Sequence, residues 1–256
     1  MYRVEALLLL CFCVMRRIFL SDAHLTGLSD PNQAFLVGFL DQCEAAEIYF
    51  LGDMFHFWWG RKGFRDPDYA PFLDAIERLR ARGIIVRWVR GNHDFHLGPV
   101  IEEDLGVEVA DSFELEVDGA RILLVHGDEA DRKLGYRLTR GLVRSRLFAG
   151  WMWLLGPRLA KKFGTALAGA SRHDTSGQDG VLQAQAQWAE ERFLEGVDVV
   201  VLGHTHAPGI QDLNGGTLVN LGDFSCSHTF LEIDQELALS KWESGQRHTV
   251  EQKSVL

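Results

Sequence analysis

Apolar and polar positions along this chain follow two periods that take turns. RRIFLSD (16–22) is a short apolar run ending in polar residues, as a buried strand does. Pro31 then opens a stretch to about residue 46 with apolar residues at Phe35, Leu36, Phe39 and Leu40, the spacing of one helix face. EIYFLGD (47–53) predicts a second strand. Residues 69–82 predict a second helix through Phe72, Leu73, Ile76 and Leu79, closed by Gly83. IIVRWVRG (84–91) predicts a third strand. This rhythm implies a parallel α/β core, whose ligands gather at the carboxyl ends of the strands.

After residue 106 the texture changes. Residues 112–118 and 121–126 predict a hairpin around Asp118-Gly119, and 197–202, 208–213, 217–221 and 228–233 predict further short strands. Between these sets, 131–195 reads as a long helical insertion within a single domain spanning 15–245. The chain carries no internal repeat and no low-complexity tract.

Composition narrows the class. Of 256 residues, 46% are apolar and 24% charged, which fits a folded globular chain. The net charge of −10 argues against nucleic acid as a partner, which needs a basic footprint. Cys11, Cys13, Cys43 and Cys226 show no paired spacing, so scattered thiols in a reducing cytoplasm are expected rather than a disulfide framework. The apolar run at 5–14 is too short to span a bilayer, which takes about 20 residues. It lacks a cleavage site, and Met15-Arg16-Arg17 leads straight into the first strand. The expected natural start is therefore Met15, with 1–14 as an upstream extension.

Five motifs follow strand ends: Asp22-x-His24, Gly52-Asp53, Gly91-Asn92-His93-Asp94, His126-Gly127-Asp128 and Gly203-His204-Thr205-His206. Singly each is a turn or a cap; in this order and placement they point to a metal site. Asp22 and His24, two apart at a frayed strand end, can turn to one ion. Carboxylate, imidazole and amide oxygen together suit Mn, with Fe or Zn also compatible, rather than Ca. Asp53 has two oxygens and can serve two ions, and two ions about 3.5–4 Å apart can clamp a phosphoryl group. Asp128 reads either as a support for a ligand imidazole or as a plain turn carboxylate. His56, His96 and His228 read as loop or packing residues.

These blocks resemble the signature of the calcineurin-like metallophosphoesterases over about residues 16–223. The resemblance implies a four-layer αββα sandwich, two β-sheets between helices. It implies one divalent ion held by Asp22, His24, Asp53 and His206, and a second held by Asp53, Asn92, His126 and His204. In that family the histidine of the G-N-H-D block touches the substrate phosphate or leaving oxygen. This gives His93 a catalytic part beside Asn92, with Asp94 orienting it.

The insertion adds a second signal. Residues 132–172 carry ten Lys and Arg and no Asp or Glu, interleaved with Leu142, Leu147, Phe148, Trp151, Trp153, Leu154, Leu155 and Phe163. This pattern fits an interfacial helix on an anionic membrane, a wall for acyl chains, or a helical cap with a solvated basic face. Its position after His126-Gly127-Asp128 resembles the helical lid of the UDP-2,3-diacylglucosamine pyrophosphatases of lipid A biosynthesis. LGDMFHFWWG (51–60), GNHDF (91–95) and Gly135-Tyr136 are similar too. The stretch Ser171 to Gln178 matches at Ser171, while Thr175 and Gln178 stand where Asn and Lys are commoner; His93 stands where Arg is found in the best-known members.

That resemblance implies hydrolysis of a lipid-linked nucleotide diphosphate to UMP and 2,3-diacylglucosamine 1-phosphate. The enzyme would be cytoplasmic and peripheral on the inner membrane. Asn92, His93, Asp131, Ser171 and His204 would contact substrate. Two other readings stay open: a phosphoesterase acting on a soluble phosphodiester or nucleotide, and a non-catalytic scaffold that docks through the lid.

Overall fold

The computed structural model describes residues 15–130, 134–171 and 178–255. The 1–14 extension, Asp131, Arg132, Lys133, Arg172 and Thr175 lie outside the described residues. Twelve strands form two sheets among the described residues. In the first, β1 (Arg17–Leu20), β2 (Glu47–Phe50), β3 (Ile85–Val89) and β4 (Glu108–Ala110) run parallel. β10 (Thr229–Ile233), β11 (Glu236–Glu243) and β12 (Gln246–Ser254) add antiparallel beyond β1. The second sheet holds β5 (Phe113–Val117), β6 (Ala120–Leu124), β7 (Val199–Leu202), β9 (Gly216–Asn220) and β8 (Gly209–Leu213), in that order.

The pleat sorts each strand's side chains into layers, because successive residues face opposite ways. Ile18, Leu20, Ile48, Phe50, Val86 and Trp88 point to helices α1 (Pro31–Gln42) and α2 (Ala70–Ala81) and pack with Leu36, Phe39, Phe72 and Ile76. Phe19, Tyr49 and Val89, one residue out of phase, meet Ile122, Leu124, Val199, Val201 and Val219 between the sheets. Leu123, Val200 and Leu202 face the other way and bury Ala189 and Phe193 of α5 (Gln178–Phe193). Three cores therefore separate four layers, the expected αββα sandwich.

The helix starts follow local chemistry. Asp30 caps α1, accepting from the backbone N–H of Asn32, and Pro31 sets the first turn. The helix stops at Gln42 rather than near 46. Cys43 is extended, and Ala46 already donates its N–H to the Arg16 carbonyl at the start of the strand pair.

The expected insertion of 131–195 divides in two. α3 (Leu134–Val143) and α4 (Arg146–Ser171) stand over the loop after β2, whereas α5 is the outer layer of the sandwich. α4 is broken at Gly156 (φ 72, ψ 163), the residue before Pro157, where proline disfavours helical backbone. Its inner face buries Met152 and Ala160 against Phe57, with Trp59, Phe148 and Leu155 alongside. A Cβ on Gly164 would lie 2.1 Å from the Phe57 ring, so only glycine permits this approach. The expected domain end at 245 also moves outward. It would cut the β11–β12 hairpin, whose second strand is paired over its length and followed by the buried Val255.

Part of the basic character of the insertion is spent inward. Arg140 donates to Asp128 (2.6 Å) and Glu129 (2.9 Å), Lys161 to Asp66 (2.8 Å) and Asp68 (2.5 Å), and Arg144 lies 3.5 Å from Asp111. These three cations tie the lid to the acidic body. The lid also turns apolar residues outward: Leu147, Leu154 and Trp153 are 86, 77 and 57% exposed.

Candidate metal centre

Every motif sits where a strand of the sandwich ends, and backbone bonds knit the tips together. Asp22, His24 and Leu25 donate N–H to the carbonyls of Gly52, Asp53 and Met54, and Gly203 donates to His126. Glycine at these crossings is steric: a Cβ on Gly91 would lie 2.1 Å from the Asp53 carboxylate, and one on Gly203 2.5 Å from that of Asp22. Five of the expected ligands, Asp22, His24, Asp53, His204 and His206, hold left-handed backbone with φ between 46 and 71°. That conformation swings adjacent side chains of each motif out of the strand plane and into a common space.

The side chains converge there. Nε2 of His24 and Nε2 of His206 are 3.2 Å apart, and Oδ1 of Asp22 is 3.2 Å from the second and 3.5 Å from the first. Oδ2 of Asp53 is 3.5 Å from Nε2 of His126, which is itself 3.1 Å from Oδ1 of Asn92. Asp53 groups both with His24 and His93 and with Asp22 and His126, so its carboxylate lies between the two sides. The His204 ring packs edge-on to that of His126, centroids 5.2 Å apart, and the His204 backbone N–H donates to Asp22. Asp22, His24, Asp53, His126 and His206 thus converge, with Asn92 hydrogen-bonded to His126 and the His204 ring packed against it.

The arrangement suits divalent ions. Oδ1 of Asp22 is buried with no hydrogen-bond partner, and two imidazoles face it and each other. Donors about 2.1 Å from one ion lie about 3.0–3.4 Å from one another at right-angled to tetrahedral geometry, and the three atoms are spaced in that way. Asp22 and Asp53 form no ion pair with Lys or Arg among the described residues, although both are buried. Burial pushes both carboxyls up, but the imidazoles beside them prevail and hold both well below the carboxylate range. Burial lowers His24 and His204, keeping them neutral as metal ligands must be. Burial also opposes charge on His126 and His206, but the carboxylates of Asp53 and Asp22 beside them raise both. Ions in place of those protons would neutralise the same carboxylates.

Supporting residues fix the ligands. Nδ1 of His126 donates to the Leu51 carbonyl (2.7 Å), which aims Nε2 at the centre. Nδ1 of His93 donates to the His56 carbonyl (2.8 Å), leaving Nε2 3.8 Å from Asp53. Here the expectation for Asp94 is corrected. Its carboxylate accepts from the backbone N–H of Gly91, Asp53 and Met54 and so binds two motif turns together; the His56 carbonyl, not Asp94, orients His93. Burial and then the charge of Asp53 push the Asp94 carboxyl up to about 6. Asp128 joins the His126-Gly127-Asp128 turn to Arg140 of the lid.

Gln185 and Asn220 are further members that sequence reasoning passed over. Gln185 donates to the Gly127 and Gly203 carbonyls and accepts from Asn220, so α5 and β9 clasp two motif turns. Asp131 lies outside the described residues and Ser171 is described in its backbone alone.

The model of the calcineurin-like phosphoesterase family matches residues 15–208. The chain is 32% identical over 206 residues to a UDP-2,3-diacylglucosamine hydrolase of Aeromonas salmonicida, covering 77% of this chain and 80% of that protein. It is 27% identical over 235 residues to one of Vibrio vulnificus, covering 86% and 94%. With that match running across the sandwich and its ligand-bearing strand tips, this chain belongs to the calcineurin-like phosphoesterases, a family of metal-dependent hydrolases.

Proposed function

We propose that this enzyme uses two divalent ions to hydrolyse UDP-2,3-diacylglucosamine, releasing UMP and 2,3-diacylglucosamine 1-phosphate, a step of lipid A biosynthesis. The observation that carries the reading is an apolar-faced helical lid pinned through Arg140 and Asp128 beside a buried cluster of Asp and His that could hold metal. The hydrolases it resembles over most of its length act, by name, on that lipid-linked nucleotide. Asp22, His24, Asp53, Asn92, His126, His204 and His206 would hold the ions, which would supply an activated water at neutral pH and neutralise phosphate charge. Asn92 and His93 stand at the tip of the third strand, where a bound phosphate would lie, and Nε2 of His93 is the ring nitrogen turned inward, 3.8 Å from Asp53. Asp94 keeps the turn rigid, so that these groups need not reorganise as charge develops. Contact with the inner membrane, where such a substrate resides, is part of this reading and is supported by the exposed apolar residues of α4. No helix among the described residues is long and apolar enough to cross it.

Turnover of UDP-2,3-diacylglucosamine in detergent micelles with Mn added tests this, with UMP release as the readout. Turnover at rates far below those on a water-soluble diester would overturn it in favour of a second reading. That reading, a soluble phosphodiester, draws on one observation: the Nε2 of His93 is turned to the centre, and an imidazole there, once charged, can protonate a basic alkoxide leaving group.

A further inference from the structure

A cavity of about 230 Å³ opens at the seam between body and lid, next to the metal centre but apart from its ligands. Trp59, Phe95 and His96 form one wall; Arg90, Asp111 and Arg144 form another. It lies beside the Gly91-Asn92-His93-Asp94 turn, since Nη2 of Arg144 approaches the Gly91 carbonyl at 3.4 Å and Phe95 and His96 follow directly in the chain. It is roomy enough for several waters, or for a planar six-membered ring with part of an attached sugar.

The walls differ in chemistry. The Trp59 and His96 rings lie 4.3 Å apart, and Phe95 meets Trp59 edge-on at 6.2 Å; all three are half-buried. Half-covered aromatic faces of this kind stack on nucleobases, worth about 1–3 kcal/mol per base. On the polar wall, Oδ1 of Asp111 lies 3.5 Å from Nη1 of Arg90 and 3.5 Å from Nη1 of Arg144. Both separations exceed a direct N–H···O bond of about 2.7–3.2 Å, so Asp111 pairs with both arginines by charge rather than by short hydrogen bonds. The edge reads donor, acceptor, donor.

We infer that this cavity takes the uracil end of a uridine nucleotide, an assignment that rests on the nucleotide reading above. Uracil presents O4, N3–H and O2, which is acceptor, donor, acceptor, the complement of Arg90, Asp111 and Arg144. The same three groups disfavour an acyl chain, which would strip water from two guanidiniums and a carboxylate. Cytosine places an acceptor where uracil has N3–H and a donor where uracil has O4. It would face Asp111 and one arginine with the wrong signs.

Titration calorimetry of UMP and CMP against the metal-loaded full chain tests the assignment. The two probes share ribose and phosphate, so their ratio isolates the base. UMP is expected to bind at least about tenfold tighter than CMP, and Asp111→Asn, whose amide can donate to cytosine N3, to shrink or reverse that ratio about tenfold. Arg90→Gln should weaken UMP more than CMP while leaving the melting temperature in place. Equal affinities in the parent, or an Asp111→Asn change that leaves the ratio untouched, overturn the inference. Turnover of UDP-2,3-diacylglucosamine by the parent is measured separately. Turnover without base discrimination removes the cavity assignment and keeps the reaction; base discrimination without turnover removes the reaction and keeps a uridine site.

Discussion

Asp53 faces two groups of donors at once, so its loss should reach further than the loss of any single-sided ligand. Asp53→Ala is expected to lower turnover by at least about a thousandfold and to reduce bound metal measured by elemental analysis. Near-normal turnover after chelation and metal-free dialysis would overturn the metal reading. His93 separates the two substrate readings. A sugar phosphate leaving from a diphosphate has a second pKa near 6 and needs no proton, and arginine can still clamp phosphate. His93→Arg should therefore keep much of the rate on the UDP-lipid and lose about a hundredfold on an alkyl diester; collapse on both would count against the diphosphate. Burial pushes the Cys43 thiol up to about 11, so at pH 8 its thiolate is about one part in a thousand. Iodoacetamide should label the exposed Cys226 and spare Cys43, as peptide mass mapping would read. The metal ligands are legible in the sequence because each follows a strand-like run and carries a donor beside a glycine or a second donor. The groups that orient them are not. The carbonyls of Leu51 and His56 carry no side-chain signal, and Gln185 looks like any polar position on a helix.

Elements whose burial is one-sided or complete announce themselves, and those that lack an apolar pattern do not. β1, β2, β3 and both helices of the first layer are visible because the inner faces are apolar at the correct period. β12 reads QRHTVEQKS and is exposed along nearly its whole length; pairing with β11 makes it a strand, and pairing leaves no trace in hydrophobicity. α5 has a helical pattern whichever layer it joins, so only packing on Leu123, Val200 and Leu202 reveals that it belongs to the sandwich rather than the lid. The α4–Phe57 contact offers an element-scale test. Gly164→Ala places a methyl inside the Phe57 ring and should cost about 1–3 kcal/mol of overpacking. Because that strain falls at the lid seam, proteolysis should find α4 before it finds the sheets; an unchanged digestion pattern would mean that α4 docks by other contacts.

For the whole molecule, the exposed apolar residues of the lid, set against the inward pairing of Arg140, Arg144 and Lys161, bear on how it would meet a membrane. Leu147→Ser, Leu154→Ser and Leu159→Ser together should lower co-sedimentation with anionic vesicles more than Lys161→Gln, whose ammonium is already occupied by Asp66 and Asp68. The reverse ranking would return the surface to a basic, electrostatic one. The five left-handed ligand positions carry a further consequence. Non-glycine residues in that conformation cost about 1–3 kcal/mol each, less for aspartate and at the same tips two carboxylates are buried without a cationic partner among the described residues. The strand tips are therefore a place where the polypeptide alone is discontented and an ion relieves it. Ligand occupancy at about 100 times Kd adds about 2.7 kcal/mol to folding, or about 5–10 °C for a chain of this size. Metal supply should then govern how long the protein lasts as well as how fast it works: stripped of ions it should melt lower by that margin, and in metal-starved cells it should be cleared by proteases sooner than its catalytic defect alone would suggest.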